Sequence, residues 1–565
     1  MSIGDIFRTV ILLMIPCLLL PAHTVYGQHD AHREAMREIT RGEPELARER
    51  IHALGDDPSL MWRSLSNAYE RAGIKVRSEG EEYQRYVLPE NHFVLALLAS
   101  LDADANEALA QARAAVARGL PFERLLAGPR EALAPLYNHP DFQEWARQEA
   151  RMLLHGPMLG HVTDDAASFW VRTAVPTRVE VRVRAAGESI HPERRGASFT
   201  LAELDYTAVV RVHGLKPDTD YTYELLVDGE LYPVEYASFR SHPKQGAPSN
   251  FRVAFGGGAG FVAEHERMWD TIRERDPVAM LMLGDNVYID DPEHKLTQHY
   301  TYYRRQSRPE WRNMTSSRGI YAIWDDHDFG LNDSFGGPSP DDPWWKPQVW
   351  EVFTQNWNNP SYGGGQDVRG VWFDFRVGDV HFIMLDGRYY RESPWRRAQG
   401  NENPSMLGPV QLEWLKQTLS GSQATFKVVV SPVPWATGTK GGPPGGYDTW
   451  DGFDRERTGI FDLINEHEID GVVLISADRH RTDARRISRD QGYDLYDFMS
   501  SILTNYHTHP VLETNELLFG YNENNSFGLL HFDTAQDDPM LMFEIVNIDN
   551  ESIWTRELRL SELSH

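Results

Sequence analysis

The stretch GIYAIWDDHD, at residues 319–328, places an apolar run directly before four ionisable side chains. The apolar part has the composition of a buried β-strand, whereas three carboxylates and an imidazole in a row would repel one another in an ordinary core. Carboxylate oxygens and imidazole nitrogens are metal ligands, and a bound cation would remove that repulsion. A solvated turn after an edge strand is the alternative interpretation, because Asp-rich turns are common.

Three further apolar runs end in the same manner. Residues 279–283 lead into GDNVY, residues 380–385 lead into DGR, and residues 472–475 lead into SADRH. Near-continuous apolar runs of this length indicate strands that are buried on both faces. Ligands of open α/β sheets lie beyond the carboxyl ends of the strands, so the repeated pattern predicts one shared polar site.

Length and charge limit the class of protein. A chain of 565 residues is too long for one core and predicts two to four domains. The net charge of −27 argues against nucleic acid or an anionic membrane surface as a passive partner. A site for an anionic substrate therefore needs local positive charge from metals or arginine.

Residues 1–27 have the pattern of a secretory signal peptide, with Arg8 before an apolar run at 10–20 and a cleavage position ahead of Gln28. A retained anchor is the alternative. Cys17, the single cysteine, lies in this segment, so the mature chain would contain no thiol and no disulfide. We expect a secreted or periplasmic protein.

The composition and hydrophobic periodicity of the sequence then change twice. Residues 28–152 are rich in Ala, Glu and Arg at helical spacing, and part of this region resembles a tetratricopeptide-type repeat without a clean period. We expect a helical accessory domain that either packs against the rest of the chain or binds a protein partner. Residues 156–240 alternate apolar and polar side chains, and GLKPDTDYTY at 214–223 resembles the turn and tyrosine strand of a fibronectin type III sandwich.

From residue 250 to residue 565 apolar strands alternate with helices, as expected for an α/β catalytic domain. The spacing predicts helices at 264–275 and 410–419. Two late runs, 528–532 and 541–548, are expected to complete a second sheet.

The ionisable residues suggest a metal centre for phosphoryl chemistry. Oxygens of Asp285, Asp326 and Asp478, with a nitrogen of His480, make a hard-to-borderline ligand set. Tyr288 lies three residues after Asp285 and can point back at the same site, where a phenolate would favour a ferric ion. Two metals bridged by one carboxylate suit in-line attack on phosphorus.

Two neighbouring residues can serve the substrate. His327 sits beside a predicted ligand and can protonate a leaving group. Arg388 can pair bidentately with phosphate oxygens.

Five motifs, in this order, resemble those of the alkaline phosphatase D (PhoD-like) family of metallophosphoesterases over about residues 156–560. They are Gly284-Asp285-x-x-Tyr288, Trp324-Asp325-Asp326-His327-Asp328, Leu385-Asp386-x-Arg388, Leu407-Gly408-x-x-Gln411-x-x-Trp414-Leu415 and Ser476-x-Asp478-x-His480. The resemblance implies a multidomain chain. Its catalytic part would be an α/β/β/α (calcineurin-like) metallophosphoesterase sandwich, preceded by a fibronectin type III-like β-sandwich and, outside the resemblance, the helical region.

The resemblance also implies iron and calcium as metals, with manganese or zinc as alternatives. Carried over by position, Asp285 bridges the metals, Tyr288 and His480 bind the ferric ion, and Asp326 and Asp478 bind the second metal. His327 acts as the acid or transition-state donor. Arg388 holds phosphate, and Asp386 is expected among the substrate-binding residues.

One position departs from the family pattern. Gly258 stands where the family has an iron-binding cysteine. The glycine-rich loop around it is expected either to cradle phosphate through backbone N–H groups or to form a plain turn. His265 and Glu264 are alternative ligands, but residues that open a helix more often lie on the surface, and that is the interpretation favoured here.

These patterns predict a secreted phosphoesterase that hydrolyses phosphomonoesters, phosphodiesters or both by attack of metal-bound hydroxide. The substrate is expected to be a small-molecule or lipid phosphate ester, with no nucleic-acid binding. A phospholipase D-like phosphodiesterase and a catalytically weak extracytoplasmic binding protein are the alternatives.

Overall fold

A computed structural model describes residues 30–54, 75–76, 81–187, 193–393, 403–441 and 445–565. The predicted signal peptide, residues 1–27, lies outside these ranges. None of the helices within them is long and apolar enough to cross a membrane.

The described residues of the first part of the chain form mainly helices. These helices are Ala31–Thr40, Pro44–Leu54, Glu81–Leu101, Ala105–Ala117, Phe122–Ala127, Ala134–Tyr137 and Pro140–Glu149. They bury their apolar faces in a core of their own that also takes in Tyr300 of a later helix. The helical region is therefore packed against the catalytic part through shared apolar contacts.

A β-sandwich follows, beginning at Leu153, three residues before the predicted start. One of its layers contains the strands Leu153–Gly160, Ala166–Thr173 and Thr207–His213, and the other contains Arg194–Phe199, Arg178–Ala185, Asp220–Val227, Glu230–Tyr232 and Ser238–Arg240. The first layer continues into the catalytic part, because Gly160 pairs with Ile320 of a catalytic strand. Alternating valines fill the interior between the layers.

Two large sheets form the catalytic part. The nine-stranded sheet has the order Ser552–Arg559, Met540–Asn547, Ser526–Asp533, Asn250–Gly256, Ala279–Leu283, Gly319–Ile323, and then the three sandwich strands Leu153–Gly160, Ala166–Thr173 and Thr207–His213. The seven-stranded sheet has the order Phe373–Val377, Val380–Met384, Phe426–Val430, Val472–Ser476, Leu495–Ser500, Thr482–Ile487 and Leu517–Tyr521. A short pair, Lys75–Val76 with His507–Thr508, lies apart from both.

The two sheets pack face to face around one core. Phe382 of the second sheet meets Phe532 of the first with ring centroids 5.9 Å apart, and Phe375 stacks on Tyr321 at 3.8 Å. The described helices of this part are Met268–Glu274, Lys295–Gln306, Pro309–Thr315, Lys346–Asn356, Gly408–Ser420 and Asp454–Glu466, and the short helix Asp326–Phe329 directly follows the strand Gly319–Ile323 and its two-residue turn. Short 3₁₀ segments lie at Ala202–Leu204, Ala263–His265, Gly445–Asp448, Trp450–Phe453 and Leu560–Leu563.

The placement of the two late strands was predicted wrongly. Ser526–Asp533 pairs antiparallel with Asn250–Gly256, so the late hairpin extends the sheet that already carries the first catalytic strands. Alternating sequence predicts that such strands exist, but the edge on which a hairpin docks depends on contacts that are distant along the chain.

Candidate metal centre

The site forms where the carboxyl ends of parallel strands from both sheets come together. Ala279–Leu283 and Gly319–Ile323 run parallel in one sheet, and Val380–Met384, Phe426–Val430 and Val472–Ser476 run parallel in the other. All five strands are buried along their whole length. The polar residues that follow them are thereby collected at one end of the sandwich.

Local structure explains the DDHD sequence. Asp325 caps the short helix Asp326–Phe329, and the Asp328 carboxylate accepts the Asp325 backbone N–H in return at 3.0 Å. Asp328 also accepts N–H groups of Asn286 and Val287, which fixes the neighbouring loop against this turn. The capping box thus uses two carboxylates for structure and leaves Asp326 and His327 directed elsewhere.

Asp285, Asp326 and His327 form the centre of the site. One potential ligand atom from each lies within 4.8 Å of the others, and all three side chains are buried. The Asp285 backbone has a φ of +51° directly after Gly284, whose own φ is +109°. A Cβ on Gly284 would lie 2.4 Å from Cβ of Asp325, so only glycine lets the two strand ends approach so closely.

Tyr288 and His480 join the same carboxylate. The Tyr288 hydroxyl donates to Oδ2 of Asp285 at 3.1 Å and accepts from Nδ2 of Asn505 at 2.9 Å. Nε2 of His480 lies 3.9 Å from the same Asp285 oxygen. The structure therefore brings Asp285, Tyr288, Asp326, His327 and His480 together.

Asp478 lies on another side of the site. Its Oδ2 is 3.4 Å from Nη1 of Arg479, and its charge acts on Asp325 and Lys440. It belongs to the same loop as His480, and both residues have positive φ angles, of +72° and +45°. Left-handed backbone at residues other than glycine is typical of functional loops that their surroundings hold in place.

The electrostatics of this centre are unfavourable without a cation. Burial, followed by the charges of Asp326 and Asp325, raises the pKa of Asp285 well above its usual value. Burial also raises the pKa of Asp325 well above its usual value. For Asp326 burial acts in the same direction, but Arg388 and His327 outweigh it and lower the pKa.

The carboxylates around His327 favour its protonated form. Burial lowers the pKa of its imidazole, but Asp290, Asp326 and Asp285 outweigh burial and raise the pKa well above the usual value. Nδ1 of His327 lies 2.5 Å from Oδ1 of Asp290. The pKa of Asp290 is lowered to about 2, because Arg33 and His327 outweigh the effect of its burial.

The donor set fits a metal ion. Within the described ranges, Oδ1 of Asp285, Oδ1 of Asn286 and Oδ2 of Asp325 are buried oxygens with no hydrogen-bond donor. Such atoms carry a desolvation cost unless a donor or a cation compensates it. Carboxylate, amide and phenol oxygens with imidazole nitrogens suit hard to borderline cations.

A second acidic cluster already contains cations of the chain itself. Ligand atoms of Asp326, Asp333 and Asp448 lie within 4.8 Å of one another. Nζ of Lys440 lies 2.7 Å from Asp333 and 3.1 Å from Asp448. Asp448 is also bound by Arg388, so this cluster is neutralised in part by its own side chains.

Arg388 does not have the position expected of a free phosphate ligand. Its side chain is fully buried, with Nε bonded to Asp325 at 2.5 Å and Nη1 bonded to Asp448 at 2.9 Å. Nη2 reaches Asp448 at 3.2 Å and lies 3.9 Å from Asp326. The geometry gives no support to direct contact with phosphate, because the guanidinium is engaged by carboxylates.

Asp386 likewise faces the protein. Its Oδ1 accepts from Nε1 of Trp324 at 2.7 Å and from the backbone N–H groups of Arg388 and Tyr389, and its Oδ2 accepts the N–H of Val371 at 3.0 Å. These bonds fold the loop after Val380–Met384. The predicted contact of Asp386 with substrate finds no support in this arrangement.

The glycine-rich loop does not present its N–H groups to a ligand. The N–H groups of Gly257, Gly258 and Ala259 donate to the carbonyls of Ser500, Gly284 and Asp285. The expectation that backbone N–H groups around Gly258 cradle phosphate is therefore wrong for these three donors. Gly258 has a φ of +69°, and a Cβ there would lie 3.0 Å from the backbone nitrogen of Ile502.

The two alternative ligands near this loop differ from surface residues. His265 is buried, and its Nδ1 lies 2.9 Å from the carbonyl oxygen of Asn505. Glu264 also has buried carboxylate oxygens. Both residues lie in the 3₁₀ segment Ala263–His265, a few residues after the glycine-rich loop. The carbonyl of Asn505 already occupies Nδ1 of His265.

Sequence patterns missed several residues of the site. They are Asn505, Lys440, Asp448 and Arg33. None of them directly follows an apolar run, and Arg33 belongs to a separate helical region. The positive φ angles of Asp290 and Asp333 are visible only in the structure.

Two packed mixed sheets with a carboxylate–imidazole centre at their meeting strand ends define a metallophosphoesterase-like fold. The fold is similar to that of the solved structure of PhoD, with a TM-score of 0.60 at 16% identity over 71% of this chain and 89% of that chain. It is also similar to purple acid phosphatase PPD1 from yellow lupin (Lupinus luteus), with a TM-score of 0.52 at 12% identity over 72% of this chain and 75% of that chain.

Residues 253–526 match the model of the PhoD-like phosphatase family. The chain is 22% identical over 362 residues to alkaline phosphatase D of Bacillus subtilis (strain 168), a match that covers 56% of this chain and 60% of that relative. Residues 150–244 match the model of a domain of unknown function, DUF7800.

Proposed function

We propose that this protein is a metal-dependent phosphoesterase that hydrolyses phosphomonoesters, phosphodiesters or both. The observation that carries the proposal is the buried centre of Asp285, Asp326 and His327, in which Oδ1 of Asp285 has no donor among the described residues. A protein without metal chemistry gains nothing from burying such a group at the strand ends of this fold. The match of residues 253–526 to the model of a phosphatase family supports the reaction class.

The metal ligands we propose are Asp285, Tyr288, Asp326, Asp478 and His480. A bound metal ion would polarise the phosphoryl oxygens and make water a nucleophile near neutral pH. Iron and calcium are proposed from the family resemblance, with manganese and zinc as alternatives. A ferric site without a thiol would rely on the phenol of Tyr288, which already touches Asp285.

We propose that His327 donates a proton to the leaving-group oxygen. Nδ1 is occupied by Asp290, which leaves Nε2 as the nitrogen that can face a substrate. The neighbouring carboxylates raise the pKa of this imidazole and so favour the protonated form that a general acid requires. Arg388, in contrast, is proposed to act through Asp325 and Asp326 by balancing their charge and fixing their orientation.

The remaining parts of the proposal concern organisation and location. The three-strand and five-strand layers of the sandwich support a fibronectin type III-like domain at 156–240, between a helical domain at 28–152 and a catalytic domain at 250–565. A signal peptide at 1–27 would direct the protein to a secreted or periplasmic location. A small-molecule phosphate ester is the substrate we favour, with a lipid ester as the alternative.

The first test is hydrolysis of 4-nitrophenyl phosphate beside bis(4-nitrophenyl) phosphate. The protein is assayed as purified, after chelation, and after addition of iron with calcium, manganese or zinc. Turnover that a chelator abolishes and a metal restores is the expected result, and the preferred ester separates a phosphatase from a diesterase. A folded sample with no turnover under any metal would refute the enzyme and favour the binding protein.

The role of His327 has a separate test. In His327→Gln we expect kcat for an alkyl phosphate to fall by about 10²–10³-fold, and kcat for 4-nitrophenyl phosphate to fall much less, because 4-nitrophenolate leaves without a proton. Metal content should be unchanged by this substitution. Equal losses for both esters would contradict proton donation by His327.

A further inference from the structure

The helical region contributes Arg33 to the surroundings of the centre. Arg33 lies on the helix Ala31–Thr40, and its side chain is only 1% exposed. Its Nη1 pairs with Oδ2 of Asp290. Arg33 lies outside both segments that match family models, 150–244 and 253–526.

Asp290 connects Arg33 to the centre. Its other oxygen, Oδ1, accepts from Nδ1 of His327 at 2.5 Å. Asp290 is buried and has a φ of +45°, and the N–H of the preceding residue, Ile289, donates to the His327 carbonyl at 2.9 Å. A carboxylate with one oxygen on a buried guanidinium and the other on the imidazole has little freedom to turn.

The helix that carries Arg33 is fixed to the catalytic part at both ends. At its start, Asp30 caps the helix and pairs with Arg304. At its end, the hydroxyl of Thr40 donates to Asp291 at 3.0 Å. Arg33 is therefore held by contacts that do not depend on Asp290.

The helix that carries Arg33 and the loop that carries Tyr288 line one cavity. Its volume is about 60 Å³, and both Arg33 and the metal-ligand candidate Tyr288 line it. The helical region and the loop that carries Tyr288 and Asp290 thus share one internal surface.

We propose that Arg33 is a positioning residue for the phosphoesterase reaction, and that it orients the His327 imidazole through Asp290. This rests on the proposed role of His327 as proton donor. The helical region is accordingly a functional part of the active site, because it supplies the residue that fixes the general acid. Loss of Arg33 leaves the Asp290 carboxylate with a free oxygen and lets both it and the imidazole rotate.

The test compares Arg33→Ala with Arg50→Ala in the full chain. Arg50, on the helix Pro44–Leu54, pairs with Glu38 of the helix that carries Arg33. Its loss therefore removes an ion pair from the helical region without changing a contact of Asp290. We expect Arg33→Ala to lower kcat for an alkyl phosphate by about 10–100-fold and kcat for 4-nitrophenyl phosphate by less than about threefold. Arg50→Ala should leave both within about twofold, and Arg33→Lys should restore part of the loss.

A second readout does not need turnover. In protein labelled with ¹⁵N-histidine, the imidazole signal of His327 is identified as the one that His327→Gln removes. Arg33→Ala should shift this signal, and Arg50→Ala should leave it in place. An unchanged signal would overturn the positioning role even in a protein that hydrolyses no ester.

The two proposals fail in different ways. If the wild-type protein is inactive with every metal, the proposed function fails, and the imidazole signal alone decides whether Arg33 orients His327. If the wild-type protein is active and Arg33→Ala slows both esters equally, or behaves as Arg50→Ala does, the inference about Arg33 is wrong and the proposed function stands.

Discussion

Gly258 shows how a single residue can be required by backbone geometry at a position where chemistry was expected. With a φ of +69°, and with only 3.0 Å between an added Cβ and the Ile502 nitrogen, the position has no room for a side chain without strain. The loop crosses the strand ends closely enough to exchange hydrogen bonds with Gly284 and with residues 504–505. Glycine is therefore explained here by the path of the chain.

We predict that Gly258→Ala lowers the free energy of unfolding by about 1–3 kcal/mol. Gly459→Ala is the matched control, because it lies in the helix Asp454–Glu466 with nothing within 4 Å of its Cβ position. That change should raise the free energy of unfolding by about 0.5–1 kcal/mol. Urea unfolding of both variants measures the difference, and a neutral Gly258→Ala would show that the loop relaxes.

Asp448 is a second residue whose importance is structural as well as electrostatic. Arg388, Arg391 and Lys440 all lie within 3.1 Å of its carboxylate. Burial raises the pKa of Asp448, but these three cations outweigh it and hold the pKa well below its usual value. The carboxylate is thus the common anion of a buried group of cations.

We predict that Asp448→Asn lowers the free energy of unfolding by about 3–5 kcal/mol, because it leaves buried cations without their counter-charge. Asp341→Asn removes the pair with Arg369 at a carboxylate that is 70% exposed, and should cost less than about 1 kcal/mol. Calorimetry of the two variants tests this. Equal losses would mean that Asp333 or water replaces Asp448.

At the scale of elements, the loop after the strand Val380–Met384 is folded by the carboxylate of Asp386. Its four donors come from Trp324, Val371, Arg388 and Tyr389. Because Arg388 lies in this loop, two residues after Asp386, the shape of the loop also determines where the guanidinium meets Asp325. The loop therefore contributes to the site by positioning the Arg388 side chain.

We predict that Asp386→Asn lowers the free energy of unfolding by about 1–3 kcal/mol, because the new NH₂ group faces a donor. KM for 4-nitrophenyl phosphate should stay within about twofold of the wild-type value. Steady-state kinetics and urea unfolding separate the two readouts. A KM raised tenfold at unchanged stability would instead restore Asp386 as a substrate contact.

At the scale of the whole molecule, the segment that joins the sandwich to the catalytic part contains a buried histidine. His242 is 1% exposed, and its Nδ1 lies 3.3 Å from the carbonyl of Arg376. Burial lowers the pKa of His242 to about 4. Its neutral form is therefore the one that the folded protein accepts.

We predict that acid weakens this joint. A histidine with a lowered pKa binds fewer protons when folded, so its stabilising contribution is complete above about pH 6.5 and is lost as the pH falls towards about 4. The loss should reach about 3 kcal/mol relative to His242→Phe, which keeps an aromatic ring beside Tyr321. Unfolding at pH 7 and pH 4 measures this difference, and an equal pH dependence in the wild-type protein and in His242→Phe would contradict the prediction.

Much of the fold follows from local sequence. Apolar runs of four or five residues predict the buried strands at 279–283, 319–323 and 472–475, and strands are present at these positions. The helix predicted at 410–419 is Gly408–Ser420, and the one predicted at 264–275 divides into Ala263–His265 and Met268–Glu274. Periodicity and strand composition are local properties, so the sequence carries them directly.

The sequence alone also determined that acidic residues and histidines follow several buried strands, which is sufficient to predict a metal centre at their ends. Only the tertiary structure decided which residues support it. Asp290 contacts His327, and Arg388 pairs with Asp325. Arg33, which pairs with Asp290, lies on a helix near the start of the chain. Buried charges are satisfied by whatever the folded chain brings near them, and such partners have no fixed spacing in sequence.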